Sequence, residues 1–327
     1  MAQHFLLSRA AKTLSLGRVF RMSDAEAETM FCNIRWAETN GKPVCPHCGG
    51  LDAYDCRRPN GAPRFRCRAC GKDFSMTSGT LFASHKLPLR VYLAAIALFA
   101  NEVKGKSALA LSRDLGVSYK CAFVLLHKIR EAMAEEMKGR VVGGDGEMVE
   151  VDGGYFGGYV KPANHKENRR DRRLAINQNG KRQCVVIVRE REGESVPAVF
   201  QSEGKALEFI KARIANGSIV NADEAKSWDG LHGKYEMRRI NHEEAYSVDG
   251  ACTNAAESYF SRLRRAEIGH HHSVAGVYLL RYAQEASWRE DHRRMSNGEQ
   301  VERMAALAMA KKASPDFTGY WQRHRAV

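Results

Sequence analysis

The chain has 327 residues with a formal net charge of +13, long enough for two or three domains and strongly biased toward a polyanionic partner such as DNA. Its longest apolar run, 91–100, is half of what a bilayer requires, and MAQHFLLSRAAKTL at the start carries no sustained apolar stretch, so neither a membrane span nor a secretory signal is expected. Nine cysteines, four of them in two CxxC pairs, point to metal and a reducing, cytoplasmic compartment rather than to disulfides.

Residues 1–22 read as a basic arm. Ser23 and Glu26 form a capping-box pattern that opens a helix running to about Thr39, where Asn40-Gly41 stops it. Trp36 is placed to pack that helix on whatever follows. These residues, 1–40, form an N-terminal arm and helix.

A ribbon is expected over 41–82. CPHCGG and FRCRACGKDFS place Cys45, Cys48, Cys67 and Cys70 with eighteen residues between the pairs, the spacing of a four-thiolate structural zinc site. The glycines after each pair let backbone amides face the sulfurs. His47 stands between two ligands of a set that is already complete.

Residues 83–140 read as a helical domain of helix-turn-helix type. LRVYLAAIALFANEV and SALALSRDL are helices, Gly116 turns the chain, and Ser118 caps a third helix through Met137. Tyr119 and Lys120 would then face a DNA groove.

The glycine-rich KGRVVGGDG ends the helical region, and an α/β domain over 146–295 follows. Strands are expected at 148–152, 184–189, 196–200, 218–222 and 235–240, with a helix at 205–214. A last helix holds TNAAESYFSRLRR, in which Ala255, Tyr259, Leu263 and Ala266 recur on one side. Asp152 and Asp223 end two of the strands. Glu257 lies on the helix, two turns before Arg264, with Asn254 one turn before Glu257. Three acids brought together repel one another unless divalent cations sit among them, which implies Mg²⁺ or Mn²⁺. Asp145, Glu150, Asp229 and Asp249 read as turn residues or supports.

KPANHKENRRDRR (161–173) carries six Lys or Arg against two acids, and Arg169, Arg170, Arg172 and Arg173 are candidate contacts to a DNA backbone. Arg262 and Arg265 on the acid-bearing helix are further candidates, as is the loop His270-His271-His272. Trp288 in WREDHRR is expected to be buried with its neighbouring arginines turned to DNA. Residues 296–327, a short Ala- and Met-rich helix and a basic aromatic tail, carry no readable role.

Taken in order, CPHCGG, CRACGKDFS, VEVDGGYFGG, NADEA, TNAAESYFSRLRR, GHHH and YAQEASWREDHRR resemble the bacterial insertion-sequence transposases that join an N-terminal zinc ribbon to a DDE domain. The resemblance spans about residues 20–300. It implies an RNase H-like catalytic core, cleavage and strand transfer at element ends, and action as an oligomer on paired DNA ends near the nucleoid. By motif position Asp152 and Asp223 become the first two metal ligands and Glu257 the third, with Asn254 as the competing third position. Arg264 stands where that family usually carries a lysine, and Gly153 where it commonly carries an acid. Two other readings stay open: a catalytically silent DNA-binding regulator derived from such a protein, and an RNase H-like nuclease without strand transfer.

Overall fold

The computed structural model describes residues 4–57, 63–84, 87–158, 160–171, 174–177, 179–240 and 252–323. They divide into two compact units, one formed by residues up to Glu135 together with those from His292 onward, the other by Glu136–Asp291. Among the described residues no helix is long and apolar enough to cross a membrane.

The first unit opens with α1 (Leu16–Arg21) and α2 (Asp24–Arg35). Ser23 and Glu26 form the reciprocal capping box expected of them, each side chain meeting the other's backbone N–H. Trp36 then stacks edge-on against Phe65 at 6.0 Å, and Arg35 donates to the carbonyls of Ser75, Met76 and Ser78. These contacts fasten α2 to a three-stranded antiparallel ribbon of β1 (Ala53–Asp55), β2 (Phe65–Cys67) and β3 (Asp73–Phe74). A ribbon this small has almost no core of its own, so such external packing matters to it.

Three helices follow: α3 (Leu89–Asn101), α4 (Ala108–Leu115) and α5 (Tyr119–Glu135). α3 is apolar nearly all round and is buried along its length, as such a helix must be. Gly116 takes a left-handed φ of 63° to close α4, and the Ser118 hydroxyl accepts from the Cys121 N–H to open α5.

The second unit is a mixed α/β fold. Its strands are β4 (Met148–Phe156), β5 (Gln183–Glu190) and β6 (Ser195–Phe200), then α6 (Leu207–Arg213), β7 (Ile219–Asp223) and β8 (Glu236–Ile240). They form one five-stranded sheet in the order β6-β5-β4-β7-β8. β4, β5 and β6 pair antiparallel, whereas β7 and β8 join parallel to β4. Two helices complete the unit, α7 (Asn254–Ala266) and α8 (Gly276–Asp291), linked by a π turn at Glu267–His271.

Period-two alternation divides the sheet into two cores. Val149, Val151, Val186, Val188, Val220 and Ala222 face one side, where Ile210 of α6 and the fully buried Trp228 meet them. On the other side Phe156, Val185 and Ile187 meet Tyr259, Phe260 and Leu263 of α7 and Leu279 of α8. Trp288 is buried as expected, its indole N–H donating to Glu136 at 2.6 Å. The arginine beside it behaves otherwise: Arg289 is ion-paired with buried Glu285 at 2.8 Å rather than turned outward.

The chain then returns to the first unit as α9 (Asn297–Ala310) and the short α10 (Tyr320–Arg323). Residues that carried no readable role in the sequence thus become core: Val301, Met304, Ala305 and Ala308 are buried, and α9 packs against α2, α3 and α5. A second capping box, Ser296 with Glu299, starts that helix.

Candidate functional site

The four cysteines of the ribbon come together as their spacing predicts. All four sulfurs lie within 4.8 Å of one another, with Cys45–Cys70 at 3.7 Å and Cys48–Cys67 at 3.6 Å. A tetrahedron with Zn–S bonds of about 2.3 Å has edges of about 3.8 Å, so this donor set fits a structural zinc. Gly49 and Gly71 take φ of 75° and 70°, the left-handed turns that bring amides toward the sulfurs. The Cys70 N–H holds the Cys67 thiol down, to about 7, against the opposing effect of burial. His47 is exposed and contributes only its backbone N–H, to Cys45 at 3.4 Å.

The acids assemble by a different route. Parallel pairing of β4 with β7 sets Val151 beside Ala222, and the next residue of each strand is Asp152 and Asp223. Alternation turns Glu150 and Asp152 away from the valine core, toward the face that α7 covers. Glu150, almost fully buried, accepts from the Ala255 and Ala256 N–H groups at 2.8 and 3.0 Å. A carboxylate on those orphan amides anchors the positive end of α7 near the start of β4. Further along, Gly154 admits the Phe260 ring: a Cβ there would stand 2.7 Å from it. Helix and strand therefore run alongside one another, and Glu257, one turn inside α7, lies near enough for its charge to act on Asp152.

The electrostatics register that arrangement. Burial pushes the Asp152 carboxyl up to about 7, against the pull of the Gly153 N–H at 2.7 Å, and the charges of Asp223, Glu203 and Glu257 add to the rise in that order. Asp223 is held from behind, its Oδ1 accepting from the Trp228 indole at 2.7 Å and from the Ala225 N–H at 3.2 Å. Arg239 donates to the Asp223 carbonyl at 2.7 Å and fixes the end of β7. Among the described residues no three acids bring their carboxylate oxygens within 4.8 Å of one another as the four sulfurs do. The donors are all hard oxygens, which suits Mg²⁺ or Mn²⁺ and not a soft metal. Asn221, on the face of β7 that also carries Asp223, is fully buried with no hydrogen-bond partner for either amide atom, leaving a further oxygen donor beneath the acids.

Glu203 did not stand out in the sequence. It follows β6 in a plain QSEGK turn, at the start of a 3-10 segment, and resembles a helix-opening acid. The available signal was Gly153, a residue without a side chain beside the first aspartate.

The remaining candidates are placed as follows. Asn254 is the exposed first residue of α7, one turn before Glu257. Arg264 is exposed and lies 5.9 Å from the Phe156 and Phe260 rings, with Arg265 exposed beside it. Arg262 is committed to an internal ion pair with buried Glu290, which also binds Arg189 at 3.3 Å. Arg169 and Arg170 are exposed, and Arg169 donates to the Ala163 and Asn164 carbonyls of its own loop at 3.2 and 3.3 Å. Arg172, Arg173 and Asp249 lie outside the described residues. At the start of α5 Tyr119 and Lys120 are exposed, and the Lys120 ammonium sits 5.4 Å over the ring of Trp321, whose indole donates to the Lys120 carbonyl at 3.1 Å. His271 meets Tyr282 edge-on at 4.6 Å in the π turn.

Residues 144–291 match the model of the ISXO2-like transposase domain, and residues 22–73 match that of the transposase zinc-ribbon domain. Ribbon and α/β unit are thus each similar to a module of transposases, the α/β unit to the ISXO2-like kind and the ribbon to the zinc-ribbon kind. A relative from Halobacterium salinarum, described as an uncharacterized protein in transposable element ISH50, is 23% identical over 254 residues, covering 75% of this chain and 83% of its own.

Proposed function

We propose that this chain is a DDE-type transposase that binds the ends of an insertion sequence and catalyses metal-dependent DNA cleavage and strand transfer. The observation that carries the reading is the approach of Asp223 and Glu257 to Asp152: two neighbouring parallel strands and a helix anchored on one of them bring both acids into electrostatic reach of the first. An antiparallel β4-β5-β6 meander extended by parallel β7 and β8, with acids at β4 and β7, supports an RNase H-like core.

Asp152, Asp223 and Glu257 are the residues that would hold divalent cations, which supply Lewis-acid activation of the attacking oxygen and stabilisation of the leaving one. The chain's own residues position the reactants. Arg264 and Arg265, exposed on the helix that carries Glu257, meet phosphate. A water oxygen attacks the phosphodiester at the element end, the phosphorus–oxygen bond to the 3′ side breaks, and a free 3′-hydroxyl results. That hydroxyl then attacks a target phosphodiester, forming one bond while a target 3′-hydroxyl leaves. No protein nucleophile takes part, and the contribution of the fold is positioning and electrostatic stabilisation. Recognition of the ends falls to the ribbon and to an α4-Gly116-α5 helix-turn-helix with Tyr119 and Lys120 at the start of its reading helix. The basic segment with Arg169 and Arg170 holds backbone phosphates without reading sequence. Pairing of two ends calls for a homo-oligomer at the nucleoid.

The test is strand transfer of a labelled duplex bearing the element's own end, with Mg²⁺, comparing wild type with Glu257→Gln and Asn254→Ala. Joined product from wild type, and binding without joining by Glu257→Gln, support the reading. Activity in Glu257→Gln together with none in Asn254→Ala moves the third position one helical turn. Binding without cleavage by wild type in any divalent metal leaves a DNA-binding regulator, and cleavage without joining leaves a nuclease.

A further inference from the structure

Glu203 lies on the far side of β4 from α7, in the 3-10 turn between β6 and α6, yet it reaches the same acids. A Cβ built on Gly153 would stand 2.6 Å from its Cγ, 2.8 Å from its Oε1 and 2.9 Å from its Cδ. The carboxylate thus fills the space that a side chain at 153 would take, one residue along β4 from Asp152 and on the opposite face of the strand. Ser227, in the turn after β7, donates to its Oε2 at 3.0 Å and leaves Oε1 on the Gly153 side. Its charge acts on Asp152 more strongly than that of Glu257 does, and the charge of Asp223 acts on it in turn. A half-buried carboxylate that feels another acid, with one oxygen tied by a single hydroxyl, gains little from this position as a mere hydrogen-bond acceptor. It carries a repulsion that either a proton or a cation relieves.

We propose that Glu203 is a fourth carboxylate of the metal centre, brought to Asp152 and Asp223 from the α6 side and admitted by the missing side chain of Gly153. The assignment rests on the metal-dependent reading of the site given above. It makes the centre draw on both faces of the sheet, with Glu257 from one and Glu203 from the other. Gly153 becomes a requirement of the site, because any larger residue would displace Glu203.

The experiment uses the full-length, zinc-loaded protein without DNA and two readouts, the melting temperature with and without Mg²⁺ and Mn²⁺ binding by calorimetry. Glu203→Gln keeps the shape and an acceptor for Ser227. It is expected to melt higher than wild type without divalent metal, to gain less from Mg²⁺, and to bind Mn²⁺ about tenfold more weakly. Gly153→Ala keeps every acid but places a methyl group in the space Glu203 occupies, and the same loss of Mn²⁺ affinity is expected. Asp152→Asn is the reference and should abolish binding. If Asp152→Asn abolishes Mn²⁺ binding while Glu203→Gln melts lower without metal and binds Mn²⁺ like wild type, Glu203 is only a partner of Ser227 and the proposal is overturned. If Asp152→Asn itself binds Mn²⁺ like wild type, the metal-centre reading fails and this one with it.

Discussion

The two clusters of metal-type donors are built in opposite ways. The four thiols come from one stretch of the ribbon between Cys45 and Cys70 and already stand at tetrahedral spacing. The acids come from β4, β7, α7 and the turn after β6, spread from Asp152 to Glu257, and stay further apart. Neutral thiols can approach one another and share protons, whereas ionised carboxylates at the same separation repel through a half-dry medium. One cluster is therefore a fastener whose geometry its own loops dictate. The other is a loaded arrangement, held by the rest of the fold against its own charge.

Removing the fastener has the largest expected effect. Chelation of zinc, or Cys67→Ser, should unfold the ribbon, since metal binding supplies roughly 10–16 kcal/mol to such modules. Trp36, stacked on Phe65, reports it: its fluorescence should shift to that of an exposed indole while the α/β unit keeps its own melting transition. Loss of both transitions together would break the comparison.

Glu150→Ala tests what holds the loaded arrangement. It strips the carboxylate from the Ala255 and Ala256 amides and removes one of the contacts of Arg191, the one at 3.5 Å. Leaving a buried helix-end amide unsatisfied costs about 1–3 kcal/mol, to be read from denaturant unfolding of the α/β unit. Strand transfer should fall as well, because Glu257 rides on that helix. A variant as stable as wild type would mean that α7 is anchored by its apolar face alone.

The smallest effect is a slope. Asp152 holds its proton up to about pH 7 in the folded chain, whereas an unfolded aspartate releases it near 3.9. The folded state therefore binds the extra proton between those values, and its contribution to stability is complete below about pH 4 and lost as pH rises through about 7. Without divalent metal the melting temperature of the α/β unit should decline from pH 5.5 to 8. Asp152→Asn should flatten that decline, and Mg²⁺ should remove it. A rise with pH in metal-free wild type would contradict the burial assigned to Asp152.

What the sequence disclosed follows the same division. Local chemistry was legible: the ribbon cysteines, the capping box at Ser23, the strand end at Asp223 and the helix of Glu257 all follow from short-range spacing, whereas the strand expected to stop at Asp152 runs on to Phe156 and leaves that acid mid-strand. Glu203 was not, because its meaning depends on a hole at Gly153 fifty residues away. Glu150 read as a support, yet its partners, two backbone amides of α7, leave no mark in side-chain patterns. Arg262 looked like a phosphate contact from its exposed-helix pattern, and only tertiary packing reveals buried Glu290 beside it. The Ala- and Met-rich run that becomes α9 had the composition of a core helix, but nothing local says which core.

That last helix gives the chain an unusual order of completion. Residues 136–291 form a compact body of their own, whereas the helical body before them lacks α9 until the ribosome has passed Ala310. During synthesis the α/β unit can fold while α3 still exposes the surface that Val301, Met304 and Ala308 will cover. An mRNA broken shortly after the codon for Asp291 would yield an intact carboxylate-bearing body joined to an incomplete helical one. In such a product the acid-bearing unit is parted from a complete helical unit at the level of translation.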